Sequence, residues 1–173
     1  MTAAKFAEAL DPSWTKIPAI RLERYATHET EPDRHVLVER DGQRLRFDIF
    51  LTDPEAFPFE DVKIWHDLLV IGYGSTLYCV DLKTREINIY EFDTYFGSIH
   101  LGPSYCLVAS GRDILRIDHD GSKVWQAYDI ALDGIVITDI NADTITGDAE
   151  WDPPDGWEPF AISLKTGRLI AAG

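Results

Sequence analysis

The chain alternates apolar and polar residues over short distances. In "RLRFDIFL", Leu45, Phe47, Ile49 and Leu51 fall on one face, and Arg44, Arg46 and Asp48 fall on the other. That period of two predicts a half-buried strand. The run "HVLVERDGQ" precedes it, and Asp41-Gly42 is a turn pair, so His35 to Leu51 reads as a hairpin. Helical spacing is nearly absent. The exception is residues 2–10, "TAAKFAEAL", which predict a short helix ended by Asp11-Pro12.

The remainder repeats. "LYCVDLKTREINIY" (77–90), "ILRIDHDGSKVWQA" (114–127) and "PFAISLKTGRLIAA" (159–172) each read as strand, tight turn, strand, with turn positions Asp81, Asp118 and Ser163 lying 37 and 45 residues apart. An apolar strand precedes each: "DLLVIGY" (67–73), "YCLVAS" (105–110) and "DTITGDA" (143–149), with "GIVITDI" (134–140) ahead of the last. Units of roughly 40 residues built from antiparallel strands and tight turns are the pattern of propeller blades. The expected fold is all-β: a propeller-like array of antiparallel β-meanders with about three to four blade-like units and a short N-terminal helix. We expect one domain over 1–173, divided into an N-terminal segment (1–32), an N-terminal hairpin (33–61) and blade-like repeats (62–173). Since closed propellers take about four to eight blades, three readings stay open. They are a small irregular propeller, an open stack of sheets, and half of an assembly completed by a second chain, which places a homodimer among the expected partners.

Composition adds limits. Of 173 residues, 45% are hydrophobic and 27% charged, a balance that supports a packed core without staples. Cys79 and Cys106 sit in apolar runs and are expected to be reduced and buried. The N-terminus lacks the basic-then-apolar pattern of a secretory signal, and no window approaches the roughly 18 apolar residues of a membrane span. A soluble, cytoplasmic protein that does not touch membranes is therefore expected. Net charge is −14, which argues against direct nucleic-acid binding, since phosphate neutralisation needs a basic face. The imbalance is uneven. Between Lys123 and Lys165 there is no Lys or Arg, but nine acids: Asp129, Asp133, Asp139, Asp143, Asp148, Glu150, Asp152, Asp155 and Glu158. Such a stretch is either a solvated face or a surface that steers a basic partner.

Candidate chemistry is sparse. "GYGST" (72–76) leads into a strand and not a helix, so it reads as a hairpin turn and not a phosphate cradle. "DHDG" (118–121) lacks the remaining ligands of a calcium loop and reads as a turn with Asp118 capping its own backbone. His28, His35, His66, His100 and His119 are scattered, and "HETEPDRH" reads as a polar surface loop in preference to a metal site. There is no G-x-S-x-G. No catalytic set, metal or cofactor is expected.

The hairpins "LYCVDLKTREINIY" and "ILRIDHDGSKVW" resemble blade hairpins of PQQ-like and WD40-like propeller repeats, over about residues 62–173. The resemblance implies fold and not activity, and the cofactor and calcium motifs of the alcohol-dehydrogenase branch are not found in this sequence. The tail "GDAEWDPPDGWEPFAISLKTG" resembles that of small bacterial proteins encoded beside polymorphic toxins and proposed as immunity proteins. Within it, "WDPPDGWEPF" (151–160) has a stiff Asp152-Pro153-Pro154 path and an Asp155-Gly156 turn, and so reads as an elongated hairpin loop. Trp151 and Trp157 either pack back as lids or form a preorganised aromatic platform rimmed by acids. The candidate partner-binding residues are Asp148, Glu150, Trp151, Asp152, Asp155, Trp157 and Glu158. The expected function is non-catalytic binding of a basic protein, in its concrete form an immunity protein neutralising a nuclease-like toxin. The alternative is a small-ligand-binding protein or hydrolase with a central pocket lined by acids and histidines.

Overall fold

The computed structural model describes residues 2–23, 31–51, 59–152 and 156–170. They form four β-sheets stacked in chain order. The first sheet holds β1 (Thr2–Ala7), β2 (Ala19–Leu22), β3 (Arg34–Arg40) and β4 (Gln43–Ile49), in the order β1-β3-β4-β2. The second is the meander β5 (Glu60–Trp65), β6 (Leu68–Tyr73), β7 (Thr76–Asp81) and β8 (Ile87–Glu91). The third is the meander β9 (Phe96–Gly102), β10 (Tyr105–Ser110), β11 (Ile114–Ile117) and β12 (Lys123–Ala127). The fourth has β13 (Ile135–Ile140), β14 (Thr144–Asp152) and β15 (Gly156–Ser163), followed by a single bridge from Ile162 to Leu169. The architecture is all-β and propeller-like, and no sheet closes on itself. No helix, and so none long and apolar enough to cross a membrane, occurs among the described residues.

The N-terminal helix expected over residues 2–10 is therefore corrected. Thr2–Ala7 is a strand, paired antiparallel with β3 from Thr2–Arg40 to Ala7–His35. Alanine and lysine are good helix formers, but a short segment's propensity is readily overridden, and an open sheet edge offers six residues of backbone pairing that do so. Ala4 and Phe6 then fall on one face and pack against the core beneath.

The hairpin over 35–51 forms as the alternation requires. Asp41 and Gly42 both take positive φ, 50° and 81°, the geometry of a two-residue turn whose twist matches its flanking strands. Of the three repeated hairpins, the first two form as β7–β8 and β11–β12; in the third, β15 is followed by the turn at Ser163 and by the single bridge Ile162–Leu169. At the β7–β8 turn, Asp81 Oδ1 accepts the backbone N–H groups of Lys83 and Thr84 at 2.7 and 2.8 Å. "DHDG" is likewise a turn, with Asp118 Oδ1 accepting from the His119 backbone and Gly121 at φ 80°. "GYGST" is the β6–β7 hairpin, closed at Tyr73–Thr76.

Three apolar cores separate the sheets. In the second sheet, Leu69, Ile71, Tyr78 and Val80 face the first sheet, whereas Leu68, Val70, Leu77 and Cys79 face the third. Burial on both faces is why "LLVI" and "LYCV" read as continuous apolar runs. Cys106 and Val108 of β10 join the core with the second sheet, and Leu107 joins the core with the fourth, beside Ile145 and Ile162. Both cysteines are fully buried and unpaired. Burial pushes the Cys106 thiol up to about 12 and the Cys79 thiol well above its ordinary value. Lys63 of β5 ties adjacent sheets together, donating to the Ile99 carbonyl of β9 at 2.6 Å.

Candidate functional site

The fourth sheet carries the acid-only stretch. The described part of "WDPPDGWEPF" is strand: β14 and β15 stay paired out to Asp152–Gly156. Pro153, Pro154 and the candidate Asp155 lie outside the described residues. Pairing can extend this far because Thr144–Asp152 alternates and continues the β14–β15 register across one irregularity between Glu150 and Asp152.

The register divides the candidate residues. Glu150 stands opposite Trp157, so their side chains leave the same side of the sheet, and Asp148 stands opposite Pro159. Trp151 and Trp157 are 45% and 42% exposed, which makes neither of them a closed lid. Asp152 and Glu158 are exposed, and Asp148 is half-buried. Asp148, Trp151 and Glu158 line a groove of about 700 Å³ with Phe160, Leu169 and Ile170. Leu169 and Ile170 are 69% and 44% exposed, so this groove is apolar at its floor and acidic at its rim.

Glu150 and Trp157 belong to a different recess, of about 430 Å³, between β9 and β13. Tyr95, Phe59, Ser98 and His100 complete its wall from the third-sheet side. The Phe59 and Tyr95 rings lie 5.6 Å apart, and the Tyr95 hydroxyl donates to the Asp133 carbonyl at 2.8 Å. Burial raises the Tyr95 hydroxyl, and the carboxylates of Asp133 and Glu150 add to that rise. Glu150 is only 8% exposed. Its backbone is fixed by the N–H bond to the Gly134 carbonyl at 2.9 Å and by the Leu132 N–H on its own carbonyl at 2.8 Å. Its carboxylate has no hydrogen-bond or ion-pair partner among the described residues. Ser98 Oγ and His100 Nε2 are 2.9 Å apart, and burial lowers the imidazole. No carboxylate hydrogen-bonds His100 among the described residues, though Lys63 adds to the lowering and Asp61 opposes it.

Phe59, Tyr95, Ser98, His100 and Gly134 were not legible as site residues. The strand β9, "FGSIHLG", shows only weak alternation, and nothing in the sequence pairs it with Glu150, some 50 residues on. Of the histidines, His28 lies outside the described residues. His35 is held by Asp48 at 2.8 Å, and the His119 ring stacks on Trp65 at 4.2 Å.

No family model matches the chain, and no curated protein matches it either. Among solved structures, the chain is similar to BamB from Moraxella catarrhalis, at 20% identity over 61% of this chain and 33% of that one, with a TM-score of 0.43. It is also similar to the Pan2 WD40 domain of Neurospora crassa, at 10% identity over 79% of this chain and 45% of that one, with a TM-score of 0.45. A third is the N-terminal domain of Nup159, at 12% identity over 98% of this chain and 49% of that one, with a TM-score of 0.42. The chain spans from a third to about half of the length of these structures. The propeller-like description rests on the four stacked sheets themselves, and these likenesses say nothing of the immunity-protein resemblance.

Proposed function

We propose that this protein is a non-catalytic binding module that engages a basic protein partner through its fourth sheet. In its concrete form it is an immunity protein covering the cleft of a basic, nuclease-like toxin. The observation that carries this reading is the groove that joins exposed Trp151, Leu169 and Ile170 to a rim of Asp148 and Glu158, two acids of the stretch between Lys123 and Lys165 that holds no Lys or Arg. An apolar patch edged by one sign of charge combines contact area with steering. Tryptophan supplies a large anchoring area at small entropic cost.

The test uses the product of the reading frame that adjoins this gene, with association followed at low and high salt. A basic partner should associate up to about a hundredfold faster at low ionic strength, and screening should remove the gain. Reversing Asp152 and Glu158 to lysine should slow association, and Trp151→Ala should cost roughly 2 kcal/mol of affinity. Association that ignores salt, both reversals and the Trp151 change would overturn the reading.

A further inference from the structure

The recess between β9 and β13 sets a carboxylate among aromatic rings: Glu150 lines it beside Phe59, Tyr95 and Trp157. Glu150 is 8% exposed and meets neither an ion pair nor a hydrogen bond among the described residues. Lys63, whose charge acts on His100 of the recess wall, is held by Asp61 at 3.2 Å and by the Ile99 carbonyl at 2.6 Å. No Lys or Arg occurs between Lys123 and Lys165.

The walls narrow the chemistry. Phe59 is 46% and Trp157 42% exposed, so both rings present surface to whatever enters. Elsewhere this chain covers such rings with its own arginines. Arg21 lies 3.5 Å over Phe50, Arg44 lies 4.7 Å over Trp14, and Arg34 lies 5.7 Å over Tyr73. No cation stands over Trp157 among the described residues. A planar, weakly hydrated cation suits aromatic walls with a carboxylate at their base, because it can stack and also donate two parallel N–H bonds.

We propose that this recess binds a guanidinium group, with Glu150 as its counter-charge and Trp157, Tyr95 and Phe59 as its walls. The group is either a free guanidinium compound or an arginine side chain of the basic partner, and only the second source rests on the proposed partner-binding function. Gly134 is part of the design. A Cβ there would come within 2.9 Å of Trp157 Cη2 and 3.3 Å of Glu150 Oε2, so the absence of a side chain keeps the base of the recess open.

The experiment follows the indole N–H signals of Trp157 and Trp151 by NMR on the intact chain, with no partner present. The probes are Nα-acetyl-arginine methylamide, its neutral citrulline counterpart and its lysine counterpart. The arginine probe should shift Trp157 saturably and leave Trp151 in place. Citrulline, which keeps the shape without the charge, should have little effect, and lysine should bind more weakly than arginine. Glu150→Gln should weaken the arginine probe by about tenfold or more, the scale of a hydrogen bond to a charged group, and Gly134→Ala should weaken it as well by filling the base of the recess. Trp151→Ala should not. Citrulline binding as well as arginine overturns the proposal, and so does native affinity in Glu150→Gln; the citrulline comparison needs no variant to fold. A basic arginine peptide that binds far more tightly than the free probe, with both lost in Glu150→Gln, assigns the site to a partner's side chain. Equal affinity assigns it to a free guanidinium compound. Saturable probe binding alongside salt-insensitive partner association supports the recess while removing the partner-binding reading. Loss of probe binding with salt-sensitive association retained removes the recess alone.

Discussion

The first and fourth sheets occupy the two ends of the stack, and each has only one neighbour to pack on. They treat their outer faces differently. On the first sheet, the turn around residues 11–17 folds back so that Trp14 is 4% exposed, beneath the guanidinium of Arg44. Leu37 beside it is 4% exposed, and Asp48 is held by Arg46 at 2.6 and 2.8 Å and by His35 at 2.8 Å. On the fourth sheet, Val136, Trp151, Leu169 and Ile170 stay open, and the strands β13 to β15 carry acids but no Lys or Arg, while Arg168 directly precedes Leu169. A stacked array needs a polar cap at each end to stay soluble and single. One end here has such a cap, and the other keeps its apolar surface available. The fourth sheet is therefore where binding is sought.

The largest expected effect comes from making one substitution at both ends. Trp14→Ala removes a buried ring from the cap and should cost about 3 kcal/mol of unfolding free energy. Trp151→Ala removes a ring already in water and should cost under about 0.5 kcal/mol. Chemical denaturation monitored by circular dichroism reads both. Equal costs at the two ends would erase the distinction between capped and open sheets.

A smaller effect separates the polar parts of the ends. Burial raises the Asp48 carboxyl, but hydrogen bonds from Arg46 and His35 outweigh burial and leave it below its ordinary value. The sign follows from the lower folded value. The stability Asp48 contributes is fully present above the unfolded carboxylate value of about 4 and is lost as pH falls through the folded value. Asp48→Asn should cost about 2 kcal/mol near neutrality, since hydrogen bonds to charged groups are lost. It should also flatten the acid limb of stability against pH. An unchanged acid limb would show that the Arg46–Asp48–His35 contacts do not hold the cap.

Strands of all four sheets were legible in the sequence pattern. Period-two alternation located β3 and β4, continuous apolar runs located β6, β7 and β10, which are packed on both faces, and the remaining repeats located β8, β11, β12, β13, β14 and β15. β1 was misread as helix because "TAAKFA" is locally helix-favouring, whereas its conformation is set by pairing with β3 far along the chain. β5 and β9 are edge strands of their sheets and are only partly buried, so their alternation is faint. The acid-only stretch and its tryptophans were legible as composition. The division of Glu150 and Trp157 from Asp148, Trp151 and Glu158 was not, because it depends on cross-strand register and on the third-sheet residues that wall the recess.

The smallest expected effect belongs to the acidic rim. Asp152 and Glu158 are exposed and make no ion pair among the described residues, so reversing both to lysine breaks no contact in the fold. Exposed single charges contribute little to stability, and the change in unfolding free energy should stay within about 0.5 kcal/mol. The protein carries a net charge of −14, so reversal also relieves some self-repulsion, and a slight gain in stability at low salt is expected. Thermal unfolding of the double variant at two salt concentrations measures this, because screening should shrink the gain. A clear loss of stability would mean that these carboxylates serve the fold, and the rim of the open end would then have to be read as structural, like the cap of the first sheet.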